Sequence, residues 1–158
     1  MTGSRWGALT VGLAILTVWG ILGCTSTPPR YSEDYARLER IVDAVKHLRD
    51  AYVNRDVHAI DELLLPLDSL NIWAQDVRKD FEVYSDIALD LWIERIEIKD
   101  DLILTFVVWH GTWRRASTDS VVRARGHGIL YWSGSRVILL SGTDGDLPFG
   151  MAVRTGES

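Results

Sequence analysis

Cysteine is nearly absent from this chain, because Cys24 is the only one in 158 residues, so no internal disulfide can form. The four histidines lack the spacing of metal ligands, and we expect neither a metal nor a cofactor. Lysine and arginine form no run and the net charge is −5, which argues against nucleic acid as a partner. A nucleophile motif and a glycine-rich phosphate loop are also lacking, which removes the most recognisable enzyme classes.

An uncharged apolar segment fills most of the first 23 residues. Arg5 is the only charged side chain before it, and the run from Trp6 to Leu22 contains three glycines. A bilayer-spanning helix needs roughly 20 predominantly apolar residues, and this run barely reaches that length. A charged start, an apolar middle and small residues before a cysteine are typical of a signal peptide. We therefore assign residues 1–23 to a signal peptide, with an uncleaved membrane anchor as the alternative.

The end of this segment, Ile21-Leu22-Gly23-Cys24, resembles the lipobox of bacterial lipoproteins. In that family an aliphatic residue and two mostly small residues precede an invariant cysteine, and Leu22 is bulkier than is usual. The resemblance implies cleavage before Cys24, a diacylglycerol on its sulfur and a fatty acyl group such as palmitate on the new N-terminus. Thr25 follows the cysteine, which implies the periplasmic face of the outer membrane if the host has two membranes. Residues 24–32 then form a lipidated tether.

Residues 33–150 have the length of one domain, and their first half is helical by period. Apolar residues spaced three and four apart predict a helix from Glu33 to Asn54. A short helix is predicted from Val57 to Leu65, with Asp56 as its cap and Pro66 after its end. A third helix is predicted after Asp68. We treat residues 151–158 as a C-terminal tail.

After Tyr84 the apolar period changes to two and predicts strands. The phase slips across Glu94-Arg95, which predicts a bulge in the first strand. Three further strands are predicted over Leu102–Arg115, Val121–Trp132 and Arg136–Gly142. The fold class is therefore α+β, with three N-terminal helices packed on a curved antiparallel four-stranded sheet.

At this point residues 33–150 resemble the nuclear transport factor 2-like superfamily. The segments that carry the resemblance are 52–56 leading into the short helix, the predicted hairpin over 93–104, and Gly126-His127-Gly128 with the strand that follows. The resemblance implies a bent sheet wrapped around the long helix to form a cone, and makes a homodimer through the sheet plausible. The superfamily includes enzymes, ligand binders and assembly domains, so the fold alone does not assign a function.

Asp50 and His110 are the candidate catalytic residues. The superfamily's enzymes place an aspartate, or an aspartate and a histidine, inside the cone as a general base. Asp50 lies with His47 largely off the apolar stripe of the first helix, so a solvated helix face is the alternative. His110 alternates with apolar residues and either lines the cone or is structural. His127 lies either at a pocket rim or on the outer sheet face.

Aromatic side chains are the candidate ligand-pocket or interface residues, since they line pockets and anchor interfaces. Trp113 is expected on the outer face of the sheet. The run Gly142–Gly150 is read as a turn that packs Leu147 and Phe149 onto the core. The aromatic set comprises Trp92, Phe106, Trp109, Trp113 and Trp132.

Three functional hypotheses follow from these features. We favour a non-catalytic binding module, anchored in the cell envelope through Cys24, that takes a small apolar ligand or a protein partner. The second hypothesis is an isomerase-like or dehydratase-like enzyme that uses Asp50 or His110 as the base. The third is a purely structural envelope protein whose cone is filled by Phe106 and Trp92.

Overall fold

The computed structural model describes residues 31–156, so Cys24, the signal peptide and most of the tether lie outside the described residues. No helix within 31–156 is both long and apolar enough to cross a bilayer. The elements are α1 Tyr31–Val53, α2 Val57–Glu62, α3 Asp68–Val83, β1 Tyr84–Lys99, β2 Leu102–Arg115, β3 Val121–Ser133, β4 Leu139–Gly145 and α4 Met151–Arg154.

Helix α1 is the long helix of the domain, with 23 residues. Glu33 and Asp34 lie in its first turn, where the helix dipole favours negative charge. Its buried stripe consists of residues spaced by three or four, as the sequence period predicts, namely Ile41, Val45, Leu48 and Tyr52. This stripe packs α1 onto the sheet.

Helix α2 is shorter than predicted, because it ends at Glu62 and not at Leu65. The Asp56 side chain caps it as expected, accepting a hydrogen bond from the Ala59 N–H at 3.0 Å. The residues after Glu62 leave the helix because they pair with β4. Leu65 N–H donates to the Leu140 carbonyl at 2.9 Å, and Leu140 N–H donates to the Leu63 carbonyl at 2.8 Å.

The four strands form one antiparallel sheet in the order β1-β2-β3-β4, which confirms the α+β fold class. The register between β1 and β2 shifts between Ile93 and Arg95, which confirms the bulge. Strand β4 begins at Leu139, three residues later than predicted, because the turn before it is longer. Gly134 adopts a φ of 109° in that turn, and Val137 is 68% exposed.

The two faces of the sheet differ sharply in burial, as the alternation along β2 shows. Its odd-numbered residues from Ile103 to Trp113 are buried against the helices, and we call this side the inner face. Its even-numbered residues from Leu102 to Arg114 are exposed or half-buried, and we call this side the outer face. In the described part of the chain, the helices lie on the inner face and the outer face carries no helix.

The segment after β4 closes one end of the domain. Leu147 and Phe149 are buried, as expected from the sequence. The Phe149 ring makes edge-on contacts with Tyr52 at 4.9 Å and Trp73 at 5.2 Å between centroids. Met151 and Ala152 of α4 are also buried, so the packed domain extends past residue 150.

Candidate interaction surface

The space between the helices and the inner face is filled by aromatic side chains. Trp109, Trp113 and Trp132 are each at most 1% exposed. Their indole N–H groups all have partners: the Asp146 carbonyl at 2.6 Å, the Tyr52 hydroxyl at 2.9 Å and Thr105 Oγ1 at 2.9 Å, respectively. The expectation that Trp113 lies on the outer face is wrong. Its strand phase and its bond to Tyr52 both hold it in the core.

Asp80 is a buried carboxylate at the end of the domain that the segment after β4 closes. It accepts hydrogen bonds from the Tyr52 hydroxyl at 2.6 Å and from the backbone N–H groups of Gly150 and Ala152, each at 2.7 Å. Desolvation raises the pKa of Asp80 above its ordinary value, against the opposing effect of these hydrogen bonds. Burial, with the charge of Asp80, raises the pKa of Tyr52 well above its usual range.

Asp80 is therefore a structural residue and not a free base. Its oxygens are occupied by groups of the fold, and its side chain is fully buried. Sequence reasoning overlooked it, although a signal was present. An acidic residue three positions after Val77 continues the buried face of α3, and buried carboxylates require partners.

Asp50 lies outside the filled interior. Its carboxylate is 3.0 Å from the Arg49 guanidinium, and its side chain is 37% exposed. With His47 it borders an open groove of about 300 Å³ that also includes Asp56 and Glu62. The structure therefore places Asp50 on a hydrated acidic rim and not among the apolar walls of the interior, where a general base was expected.

His110 lies on the outer face and not in the interior. It is opposite Asp90 of β1, with Nε2 2.9 Å from a carboxylate oxygen, and the two side chains are 58% and 66% exposed. The Trp92 ring lies 4.7 Å from the His110 ring, between centroids, and Trp92 is 49% exposed. The three side chains form a solvent-facing cluster.

Phe106 and Trp92 do not fill the cone, since both belong to the outer face. The Arg95 guanidinium lies over the Phe106 ring at 3.9 Å from its centroid, a cation–π contact. His127 is exposed on the same face, on β3 beside Val108. The outer face thus brings together Trp92, Phe106, His110 and His127, which are distant in the sequence.

Charge is unevenly distributed on the outer face. Asp86 and Asp90 lie on β1, whereas Arg123 and Arg125 lie on β3, two strands away. Neither arginine has an ion pair with any residue that the structure describes. Between and beside these charges lies an apolar centre that is exposed or half-buried, formed by Trp92, Leu102, Leu104, Phe106, Val108, Ile129 and Tyr131.

Comparison with known proteins depends on structure alone, because no protein-family model and no curated protein match the sequence. A conserved protein from Planctomyces limnophilus superposes with a TM-score of 0.59 and 15% identity, over 68% of this chain and 95% of that one. A nuclear transport factor 2-like superfamily protein from Salmonella enterica serovar Typhimurium superposes with a TM-score of 0.62 and 10% identity, over 72% and 94%. The domain has a nuclear transport factor 2-like fold.

The solved structures similar to this chain include an enzyme. A hexachlorocyclohexane dehydrochlorinase superposes with a TM-score of 0.62 and 10% identity, over 75% of this chain and 90% of that one. Identities this low establish the fold and nothing about the reaction. Function must therefore be argued from the filled interior and the exposed sheet of this nuclear transport factor 2-like domain.

Proposed function

We propose that this protein is a non-catalytic interaction module, anchored in the cell envelope by a lipid on Cys24, that pairs with a second copy of itself through the outer face. The observation that carries the proposal is the separation of charge on one half of that face, where Asp86 and Asp90 lie on β1 and Arg123 and Arg125 lie on β3. The other half of β1 has mixed charge, since Arg95, Glu97 and Lys99 lie there. A two-fold interface uses the same patch twice, so the patch must complement itself.

The register of the sheet meets this requirement. Asp90, His110 and Arg125 lie in one row across β1, β2 and β3. A two-fold axis parallel to β2, between two stacked sheets, places β1 of one copy over β3 of the other. Asp90 then faces Arg125 of the second copy, and the reverse pair forms at the same time. Complementary charges fix the orientation of such a pair and suppress wrong partners.

The apolar centre supplies the contact area. Trp92 is 49% exposed and Val108 is 38% exposed, although both lie within a sheet and not in a loop. Exposed aromatic side chains surrounded by polar groups commonly dominate the binding energy of an interface. Two stacked sheets would remove these side chains from water, with the charged pairs at the edge of the contact.

The enzymatic alternative lacks support in the geometry. His110 has a carboxylate partner but faces solvent, and Asp80 is buried but fully engaged by the fold. A small ligand inside the cone is likewise disfavoured, because indole rings occupy that space. A structural envelope protein shares this filled interior, and it differs from our proposal in leaving the outer face uncovered.

Sedimentation velocity on the chain starting at Thr25 tests the pairing. All described core residues lie between Ile41 and Ala152, so this chain keeps the whole core. We expect a concentration-dependent dimer that Arg125→Asp or Asp90→Arg weakens and that the double variant restores, because the pair is then reversed. Arg136→Asp, an exposed reversal in the turn before β4, is the matched control and leaves the dimer unchanged.

A wild-type chain that stays monomeric up to its solubility limit would refute the pairing. Failure of the double variant to restore the dimer would refute the proposed orientation. The anchor has its own test, since it depends on residues outside 31–156. Cells given a clickable palmitate analogue should label the wild type but not Cys24→Ala, and the mature mass should correspond to loss of residues 1–23. No label would remove the lipid from the proposal.

A further inference from the structure

An open groove with a volume of about 520 Å³ runs between α1 and β1, and Trp92 of the outer face borders it. This volume lies in the range of small-molecule sites. Leu38 and Val42 of α1 are 39% and 44% exposed along it. Its aliphatic lining consists of Leu38, Val42, Val45, Leu91, Ile93 and Ile96. Contiguous apolar surface of this kind, unlike a single exposed leucine, indicates a binding surface.

Among the residues that the structure describes, the charged side chains of the groove are all of one sign. Lys46 and Arg49 line it, and no acidic residue of the range 31–156 does, in a chain whose net charge is −5. Arg49 is paired with Asp50, whereas the Lys46 ammonium group has neither an ion pair nor a hydrogen bond with the residues described. An unpaired ammonium group beside an apolar wall suits a ligand with an anionic head and a hydrocarbon body.

The shape of the groove indicates one extended chain. The helix rises 1.5 Å per residue, so Leu38 to Arg49 spans about 16 Å with the cations at one end. An added peptide strand fits less well, although β1 is an edge of the sheet. The bulge between Ile93 and Arg95 interrupts β1 within the groove and breaks the regular spacing that strand addition requires.

We infer that this groove binds a free fatty acid, with its carboxylate at Lys46 and Arg49 and its hydrocarbon chain along Leu38, Val42 and Ile93. The inference goes beyond the proposed pairing and rests on residues that lie off the outer face. Trp92 borders both surfaces, but the variants that test the two proposals leave it unchanged, so the two succeed or fail separately.

Photo-crosslinking on the full chain, reconstituted in phosphatidylcholine nanodiscs, tests the inference. The probe is a palmitic acid analogue that carries a diazirine and an alkyne. We expect labelled peptides to map to residues 38–49 and 91–96, and unlabelled palmitate to compete whereas its uncharged methyl ester does not. Lys46→Glu and Val42→Asp should each reduce labelling about tenfold, because each places a negative charge where the carboxylate or the hydrocarbon chain binds.

Two surface variants serve as matched controls. Ile72→Asp changes an apolar residue that is 62% exposed on α3, and Arg136→Glu reverses an exposed charge, so both should label like the wild type. Labelling spread evenly over the domain, or unchanged in Val42→Asp, would overturn the inference. So would equal competition by phosphatidylglycerol, since the occupant would then be a membrane lipid. Absence of any label would show that the groove does not bind fatty acids, which would also overturn the inference.

Discussion

Asp90 and His110 lie opposite each other on β1 and β2, with the carboxylate 2.9 Å from Nε2, on the face of the sheet that points away from the helices. In an enclosed site this pair would be a general base. On the outer face both side chains are more than half exposed, so water screens the interaction.

Asp90→Asn should therefore leave the fold almost unchanged. We expect the free energy of unfolding to change by less than about 1 kcal/mol, because exposed ion pairs contribute little. Urea denaturation of the chain from Thr25 measures this. A larger loss of unfolding free energy would mean that the pair stabilises the packing of β1 on β2. Contact with another copy would then not be its main role.

Trp113→Ala should destabilise the fold and not merely alter the association of the protein. The indole is fully buried and donates to the Tyr52 hydroxyl, so truncation leaves a cavity and loses a hydrogen bond. The expected loss is about 3–5 kcal/mol. Thermal and urea denaturation report this loss, and Trp92→Ala, which removes an exposed indole, is the control and should cost far less. Equal losses for the two variants would contradict the assignment of faces.

Gly111→Ala should be destabilising because of one neighbour. A Cβ at Gly111 would lie 2.4 Å from the Trp113 ring, which cannot yield within a packed interior. Overpacking of this kind costs about 1–3 kcal/mol. The smaller ring in Trp113→Phe should make Gly111→Ala less costly in the double variant than alone, as a double-mutant cycle would show. If the losses of the two single variants simply add in the double variant, the geometry of the strand, and not the Trp113 ring, excludes a side chain at Gly111.

The sequence predicted elements well where the signal is local. Alternation along β1 located the bulge at Glu94, since a phase slip is visible within a few residues. The sequence could not assign the two faces of β2. Phe106 and Val108 on one face are as apolar as Val107 and Trp109 on the other. Tyr52, the partner that holds Trp113 inside, lies 61 residues away in the chain.

Partners that are distant in the chain also explain why the hydrogen bonds of Asp80 were not predicted. Its backbone partners, Gly150 and Ala152, lie 70 and 72 residues further along the chain. A helix period shows that Asp80 continues a buried face, but it cannot show which groups donate hydrogen bonds to the carboxylate. The short helix α4 depends on this carboxylate, which occupies two of its first backbone N–H groups.

Asp80→Asn gives a prediction with a defined pH dependence. Burial raises the pKa of Asp80 in the folded state, so between about 4, the pKa in the unfolded chain, and that raised value the folded state binds more protons. The contribution of Asp80 to stability is therefore full at low pH and decreases as the pH rises through this interval. Asparagine does not titrate and loses an acceptor, so the variant should be less stable by about 1–3 kcal/mol.

Urea denaturation of both proteins at a series of pH values that starts at about 4, the ordinary aspartate pKa, and rises from there measures this difference, because burial shifts the pKa of Asp80 upward. The advantage of the wild type over Asp80→Asn should shrink as the pH rises. An advantage that grows with pH would mean that the hydrogen bonds from Tyr52, Gly150 and Ala152 outweigh desolvation and lower the pKa. These hydrogen bonds would then stabilise the ionised carboxylate, and the fold would lose stability in acid.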